Sequence, residues 1–303
     1  MGLPRNDPLS IVDARLYPVL ARYLSGPAMR ELYHAGHSAY LAAAFSEARV
    51  AEALGRATSM LDAARAIFAA LCRRYRADYV YRAAIASKVF LGRHSPATTS
   101  LLPEFRVWRR KADMVMLNGT SVAYEIKTGL DNLDRLEAQL EAYARMFDRI
   151  YVVTDDAWSA RVRSSTADFV GLLVLTPAFT LRVEREARSN ADQVHVPTIV
   201  DALRLNELVS LTRTLCGRVP DVSRVRLFEE CGNVVAALSP RSVHDAAIRL
   251  LKKRRSFTRL DFCGVPRELL PAYLESGLQP SAWQALTVRL TSLSIGAFLD
   301  ARR

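Results

Sequence analysis

The chain has 303 residues, half of them apolar and a quarter charged, as expected of a globular protein with ample material for a buried core. Its net charge of +11 and pI near 9.8 suit a polyanionic partner. No apolar run approaches the roughly 20 residues that span a bilayer, and the N-terminus carries no hydrophobic signal core, so a cytoplasmic protein without a membrane partner is expected. Only five of the 42 basic residues are lysines. Arginine richness beside abundant alanine partly reflects coding bias, which weakens charge as an argument for nucleic-acid binding.

In chain order, residues 8–24 and 38–75 are rich in alanine and leucine and read as helices, broken at Gly26-Pro27 and Gly55. A further helix is expected near 79–91, then a loop at 92–96. A strand at 105–108 follows. Residues 112–127 alternate about Asn118-Gly119, the pair that best fits a type I′ hairpin turn. A helix follows, with Asp131 or Asn132 as its cap and Leu133, Leu136, Leu140, Ala144 and Phe147 as its core stripe. The run 149–154 is nearly all apolar, as in a central strand, and 171–176 and 180–186 extend the sheet. Beyond a break near 188–197, residues 198–216, 241–255 and 266–276 read as helices. These elements predict an α/β fold, a mixed central sheet flanked by helices with helical extensions at both ends. The expected segments are a helical extension over 1–75, a core over 76–190 and a basic helical region over 191–303.

Asp113 opens the first hairpin strand, and Glu125 and Lys127 close the second. Side chains two apart on a strand share a face, so Glu125 and Lys127 point together, while Val122, Tyr124 and Ile126 point the other way. Arg135, Gln139 and Tyr143 recur every four residues and form a polar stripe beside the core stripe of the following helix.

On these residues the chain resembles the PD-(D/E)XK nuclease superfamily: Lys111-Ala112-Asp113, a hairpin, Glu125-Ile126-Lys127, then a helix with Arg135, Gln139 and Tyr143. It looks closest to an uncharacterised bacterial group with an Asp…Glu-Ile-Lys…Arg-Leu…Gln…Tyr order. The resemblance covers roughly residues 100–155, and Lys111-Ala112 stands where the superfamily's name has proline. It implies a restriction-endonuclease-like core, with Arg135, Gln139, Tyr143 and Lys111 facing the active site or nucleic acid. It also matches Glu104 to an upstream acid able to add a metal ligand through water.

The chemistry is consistent with that resemblance. Two carboxylates about 5 Å apart repel by roughly 3 kcal/mol at an effective dielectric near 20, so Asp113 and Glu125 call for a cation, a shared proton or wide spacing. A few hard oxygen ligands, with the Ile126 carbonyl as a third, suit Mg²⁺ or Mn²⁺ completed by water and substrate phosphates. Such an ion polarises a phosphodiester and acidifies a bound water. Lys127 then orients the attacking water or stabilises charge on the phosphate. The expected activity is metal-dependent phosphodiester hydrolysis, on DNA rather than RNA.

The same residues allow a plainer account, in which Glu125 and Lys127 form an exposed ion pair worth under about 1 kcal/mol and Asp113 merely ends a strand. Two other functions keep the fold: an inactive nucleic-acid-binding or regulatory protein, and a component of a defence or mobile-element system that acts with a partner protein or as a homodimer. The cluster Lys252, Lys253, Arg254 and Arg255 ends a helix, where cations suit the dipole and also suit a nucleic-acid contact. Four scattered cysteines without a Cys-x-x-Cys pair exclude a zinc ribbon or an iron–sulfur site. No nucleophile-elbow serine, phosphate-binding glycine loop or dinucleotide fingerprint is present.

Overall fold

A computed structural model describes residues 8–253 and 260–301. The chain forms two compact units. Of the described residues, one comprises 8–93, 175–181 and 260–301, and the other 94–174 and 182–253. These units cut across the expected segments 1–75, 76–190 and 191–303, because the end of the chain packs on its beginning.

The first unit is helical. Its longest helix, Met60–Arg74, starts at Ser59, whose hydroxyl accepts from the Asp62 amide at 3.0 Å, and ends on Arg73 and Arg74, where cations suit the dipole. Ile67, Phe68 and Leu71 lie on its buried face. Two expected helical stretches are broken further than at the anticipated Gly55. The stretch 8–24 holds two short 3-10 turns before the helix Tyr17–Tyr23. The stretch 38–75 divides at Arg49 and Gly55, both at positive φ, into Ala39–Glu47, Val50–Leu54 and Met60–Arg74. The C-terminal helices close the unit. Ile295 donates its amide to the Thr58 carbonyl at 2.8 Å, and the Arg30 guanidinium reaches the Ser276 carbonyl at 2.8 Å. Gly26 lies so close to the helix Leu270–Ser276 that a Cβ there would stand 2.6 Å from the Glu275 Cβ. Only glycine fits.

The second unit is built on a six-stranded sheet in sequential order: β1 Ser100–Val107, β2 Arg110–Leu117, β3 Ser121–Ile126, β4 Arg149–Thr154, β5 Gly171–Leu175 and β6 Leu181–Arg185. β1, β2 and β3 are antiparallel, and β3, β4 and β5 are parallel. Parallel neighbours need crossovers, supplied by the helices Leu136–Ala144 and Asp156–Ser164. The sheet is therefore mixed and flanked by helices, as expected. Every residue of β3 is buried, as in a strand inside the sheet.

One apolar core joins sheet and helices. Val115, Leu117 and Ala123 from β2 and β3 meet Leu136, Leu140, Tyr143 and Phe147. The helices Val196–Asp201, Leu205–Cys216, Arg224–Ala236 and Pro240–Lys252 add Ile199, Leu211, Val235 and Ala247. The expected helix 198–216 is two, separated at 202–204. The helix Arg224–Ala236 was not anticipated from the sequence, because exposed Val225, Phe228 and Val234 blur its apolar face.

The hairpin turn also differs from expectation. Leu117 pairs with Ser121, leaving a three-residue loop in which Gly119 alone is left-handed (φ 71°). Asn118 keeps negative φ, and its side-chain amide meets His94 Nδ1 at 2.9 Å, which ties the loop back to the chain before β1. Three-residue hairpin loops are next in frequency after the two-residue type I′ and II′ turns.

Candidate active site

The register builds the site. Met114 faces Tyr124 across β2 and β3, so the next position puts Asp113 opposite Glu125. Across β1 and β2, Pro103 pairs with Met114 and Phe105 with Ala112, so Glu104 falls opposite Asp113. Three acids thus occupy one row of the sheet. Directly opposed like charges are destabilising, and the row is relieved at Glu104. That residue takes φ 53°, drops out of the ladder, and pairs with Lys111 at 3.1 Å, both half exposed.

Glu125 stays under the helix Leu136–Ala144, and Asp113 is half buried. Glu125 is 2% exposed and Lys127 8%. Glu125 Oε1 accepts from Lys127 Nζ at 2.8 Å, and Oε2 accepts from the Tyr143 hydroxyl at 2.6 Å. Lys127 Nζ also donates to Gln139 Oε1 at 2.9 Å. The Tyr143 hydroxyl lies 2.8 Å from the Lys111 carbonyl, so the helix is pinned to both β2 and β3. Asp113 Oδ2 accepts from the Ile126 amide at 2.7 Å, which locks the two strands at the row of acids. Lys127 is held by its own backbone, whose amide donates to the Val153 carbonyl at 2.9 Å.

Burial raises Glu125 above the ordinary carboxylate range, against the charge and hydrogen bond of Lys127 and the hydrogen bonds of Tyr143 and Gln139. Burial and the neighbouring Glu125 charge push the Tyr143 hydroxyl far up, so it stays a donor at any working pH. The exposed-pair account of Glu125 and Lys127 does not hold, since both are buried and hydrogen-bonded.

The donor chemistry fits a small hard cation. Each Glu125 oxygen accepts one of these hydrogen bonds and has a second lone pair, and Asp113 is a carboxylate on the same row. Mg²⁺ takes one or two protein carboxylates and fills its octahedron with water and phosphate. Among the described residues no three His, Cys, Asp or Glu side chains gather as a metal cluster. Asp113 and Glu125 would therefore hold an ion as a pair, with a backbone oxygen such as that of Ile126 and non-protein oxygens beside them. Glu104 is turned toward Lys111.

Of the residues assigned to nucleic acid, Gln139 and Tyr143 face Glu125 and Lys127. Tyr143 is fully buried. Arg135 stands exposed just before the helix, and Glu125 is hydrogen-bonded by Lys127 and Tyr143 instead. The helix begins at Leu136 rather than at the expected cap. Asp131 instead accepts from the Thr128 amide and hydroxyl, both at 2.8 Å, and closes a turn of its own. Lys252 is half buried and Lys253 exposed at the end of Pro240–Lys252. Arg254 and Arg255 lie outside the described residues.

Two polar groupings in this unit escaped the sequence reading. Asp148 Oδ1 accepts from the Ser189 hydroxyl and the amides of Asn190 and Ala191, and Oδ2 accepts from Thr120 at 2.7 Å. Burial alone would raise this carboxyl, but those hydrogen bonds outweigh it and hold it below its ordinary value. Beside it, Ser121 Oγ lies 2.8 Å from His244 Nε2, and His244 Nδ1 lies 2.8 Å from Asp245 Oδ1. The order resembles a nucleophile relay, yet Ser121 and His244 are completely buried and Ser121 Oγ already accepts the Asp148 amide. It is a structural joint between sheet and helix. Nothing in local sequence marks it, because its members come from residues 121, 148 and 244.

The family of bacteriophage P4 protein cII matches residues 72–269. Protein cII of Enterobacteria phage P4 is 27% identical over 166 residues, 51% of this chain and 58% of that protein, so the chain spans less than two thirds of its relative. A protein of unknown function from Silicibacter pomeroyi overlaps 30% of this chain and 62% of its own at 22% identity, with a TM-score of 0.25. The match to 72–269 takes in the whole sheet, the row of acids and the helix that covers it, and on that extent the chain belongs to the bacteriophage P4 protein cII family.

Proposed function

We propose that the chain is a metal-dependent nuclease that hydrolyses phosphodiester bonds in DNA, of the type its Asp113, Glu125 and Lys127 resemble. The observation that carries this reading is the row itself: Asp113 opposite Glu125, with Lys127 Nζ 2.8 Å from the Glu125 carboxylate. A buried glutamate and lysine beside a half-buried aspartate are costly to keep for stability alone. Asp113 and Glu125 would hold a divalent ion, which would supply Lewis-acid polarisation of the scissile phosphate. Lys127 Nζ, held between Glu125 and Gln139, is placed to orient a water and to stabilise charge on phosphate oxygens as the P–O bond to the leaving oxygen breaks. Gln139 and Tyr143 position Lys127 and Glu125. The net charge of +11 favours a polyanionic substrate.

A specific observation favours a second reading, an inactive nucleic-acid-binding or regulatory protein. The Glu125–Lys127–Gln139–Tyr143 network is internally satisfied and almost closed to solvent. Digestion of linear, circular, single-stranded and branched DNA with Mg²⁺ or Mn²⁺ decides between them. Cleavage abolished by Glu125→Gln, Asp113→Asn and Lys127→Met, each still folded by circular dichroism, supports the nuclease. DNA binding without cleavage under either metal supports the second reading. Cleavage that needs a co-purified protein places the activity in a partner-dependent system.

A further inference from the structure

The β1–β2 hairpin carries a feature that the candidate chemistry does not use. Its two-residue tip is Trp108-Arg109, closed by Val107 opposite Arg110. Trp108 takes φ 48°, a left-handed backbone that is an outlier for a bulky side chain. The residue is 48% exposed. The Arg145 guanidinium lies 4.4 Å from the ring centroid and that of Arg109 5.6 Å. A strained backbone that holds an indole in solvent is a cost, about 1–3 kcal/mol for such a conformation, which core packing does not repay.

The tip borders a cleft of about 480 Å³ lined by Pro103, Glu104, Arg106, Trp108, Arg109 and Asp201, among others. A nucleotide fits such a volume. Arg106 and Arg110 stand on the same hairpin, and among the described residues neither they nor Arg109 pairs with a carboxylate. Of the two acids in the cleft, Glu104 is neutralised by Lys111. Glu104, in the cleft lining, also falls opposite Asp113 in the register of β1 and β2. Aromatic faces backed by arginine bind unpaired bases by stacking, while neighbouring arginines follow the phosphates.

We propose that Trp108, backed by Arg145, is a stacking platform for an unpaired base of single-stranded DNA, with Arg106 and Arg109 on the adjoining phosphates. The proposal rests on the nucleic-acid reading above and names the form of substrate that the site takes. A double-stranded substrate has no free base face to offer the indole.

The test is a fluorescence titration of the full chain in EDTA with a short oligodeoxythymidylate, an abasic oligomer of equal length and charge, and a duplex. Expected are tryptophan quenching and binding about tenfold tighter for the thymidylate than for the abasic strand. Trp108→Ala removes that base-dependent difference, Trp108→Phe restores part of it, and both stay folded by circular dichroism. Arg106→Gln with Arg109→Gln lowers affinity for both oligomers and flattens the salt dependence. The proposal is overturned if Trp108→Ala binds the thymidylate as tightly as the unaltered protein, if the abasic strand binds equally well, or if the duplex binds best. Because EDTA removes the need for cleavage, base-dependent binding in a protein that never cuts DNA sustains the platform and sinks the hydrolase. Cleavage abolished by Glu125→Gln without any base-dependent binding does the reverse.

Discussion

Glu125 and Lys127 are the two residues whose burial has the largest consequence. Each charge is tolerable inside the unit because the other is 2.8 Å away, and removing one partner of a buried pair typically costs about 3–5 kcal/mol. Lys127→Met is therefore expected to lower stability by that order, measured by urea denaturation. The double variant Glu125→Gln/Lys127→Met should lose less than the sum of the single changes, since no unpaired charge remains. Additive losses would show that the pair is not coupled. Tyr143→Phe deletes the hydroxyl shared by Glu125 and the Lys111 carbonyl, and a loss of about 1–3 kcal/mol is expected by the same measurement. Asp148 carries a pH signature. Its folded-state pKa is lowered, so its contribution is fully present above the unfolded value near 4 and fades as pH falls through the folded one. The stability gap between the unaltered protein and Asp148→Asn should be constant from pH 7 to 5 and shrink below about pH 4. A gap that widens in acid would contradict the assignment.

Among elements, β1 is the strand whose ladder is interrupted at its acid. Glu104 has left the ladder opposite Asp113 at φ 53°. Glycine accepts that conformation without strain, so Glu104→Gly is expected to stabilise the fold by about 0.5–1 kcal/mol in thermal unfolding. Destabilisation would mean that the Glu104–Lys111 pair contributes more than the backbone strain costs. Gly26→Ala has the opposite sign. Its Cβ would meet Glu275 Cβ and the backbone of Glu275 and Ser276 at 2.6–2.8 Å, and overpacking of that kind costs about 1–3 kcal/mol. At this scale the sequence was a good guide wherever periodicity was strong. The hairpin and the Leu136–Leu140–Phe147 stripe were legible because burial imposes a period on each, and β4 because a central strand is apolar on both faces. The breaks at Arg49 and 202–204 were not, since no proline or glycine marks either place.

For the molecule as a whole, the four cysteines are free: Cys72 and Cys231 buried, Cys216 half buried, Cys263 exposed. Reductant should leave the thermal midpoint unchanged, and a thiol reagent should modify Cys263 fastest in the native protein. Loss of the rapid phase in Cys263→Ser checks this. No helix among the described residues is long and apolar enough to cross a membrane.

Taken alone, the order of residues determined the α/β class, the hairpin, and the gathering of Asp113, Glu125 and Lys127 at one end of it. Those are local consequences of a period of two and a turn, and they need no distant partner. The tertiary structure decided everything that depends on closure between remote segments. It buried Glu125 under Tyr143, turned Glu104 away from its opposed acids, packed residues 260–301 on the N-terminal helices, and built joints such as Ser121–His244. Such contacts are set by which apolar faces meet in space, and neither spacing nor composition encodes that meeting.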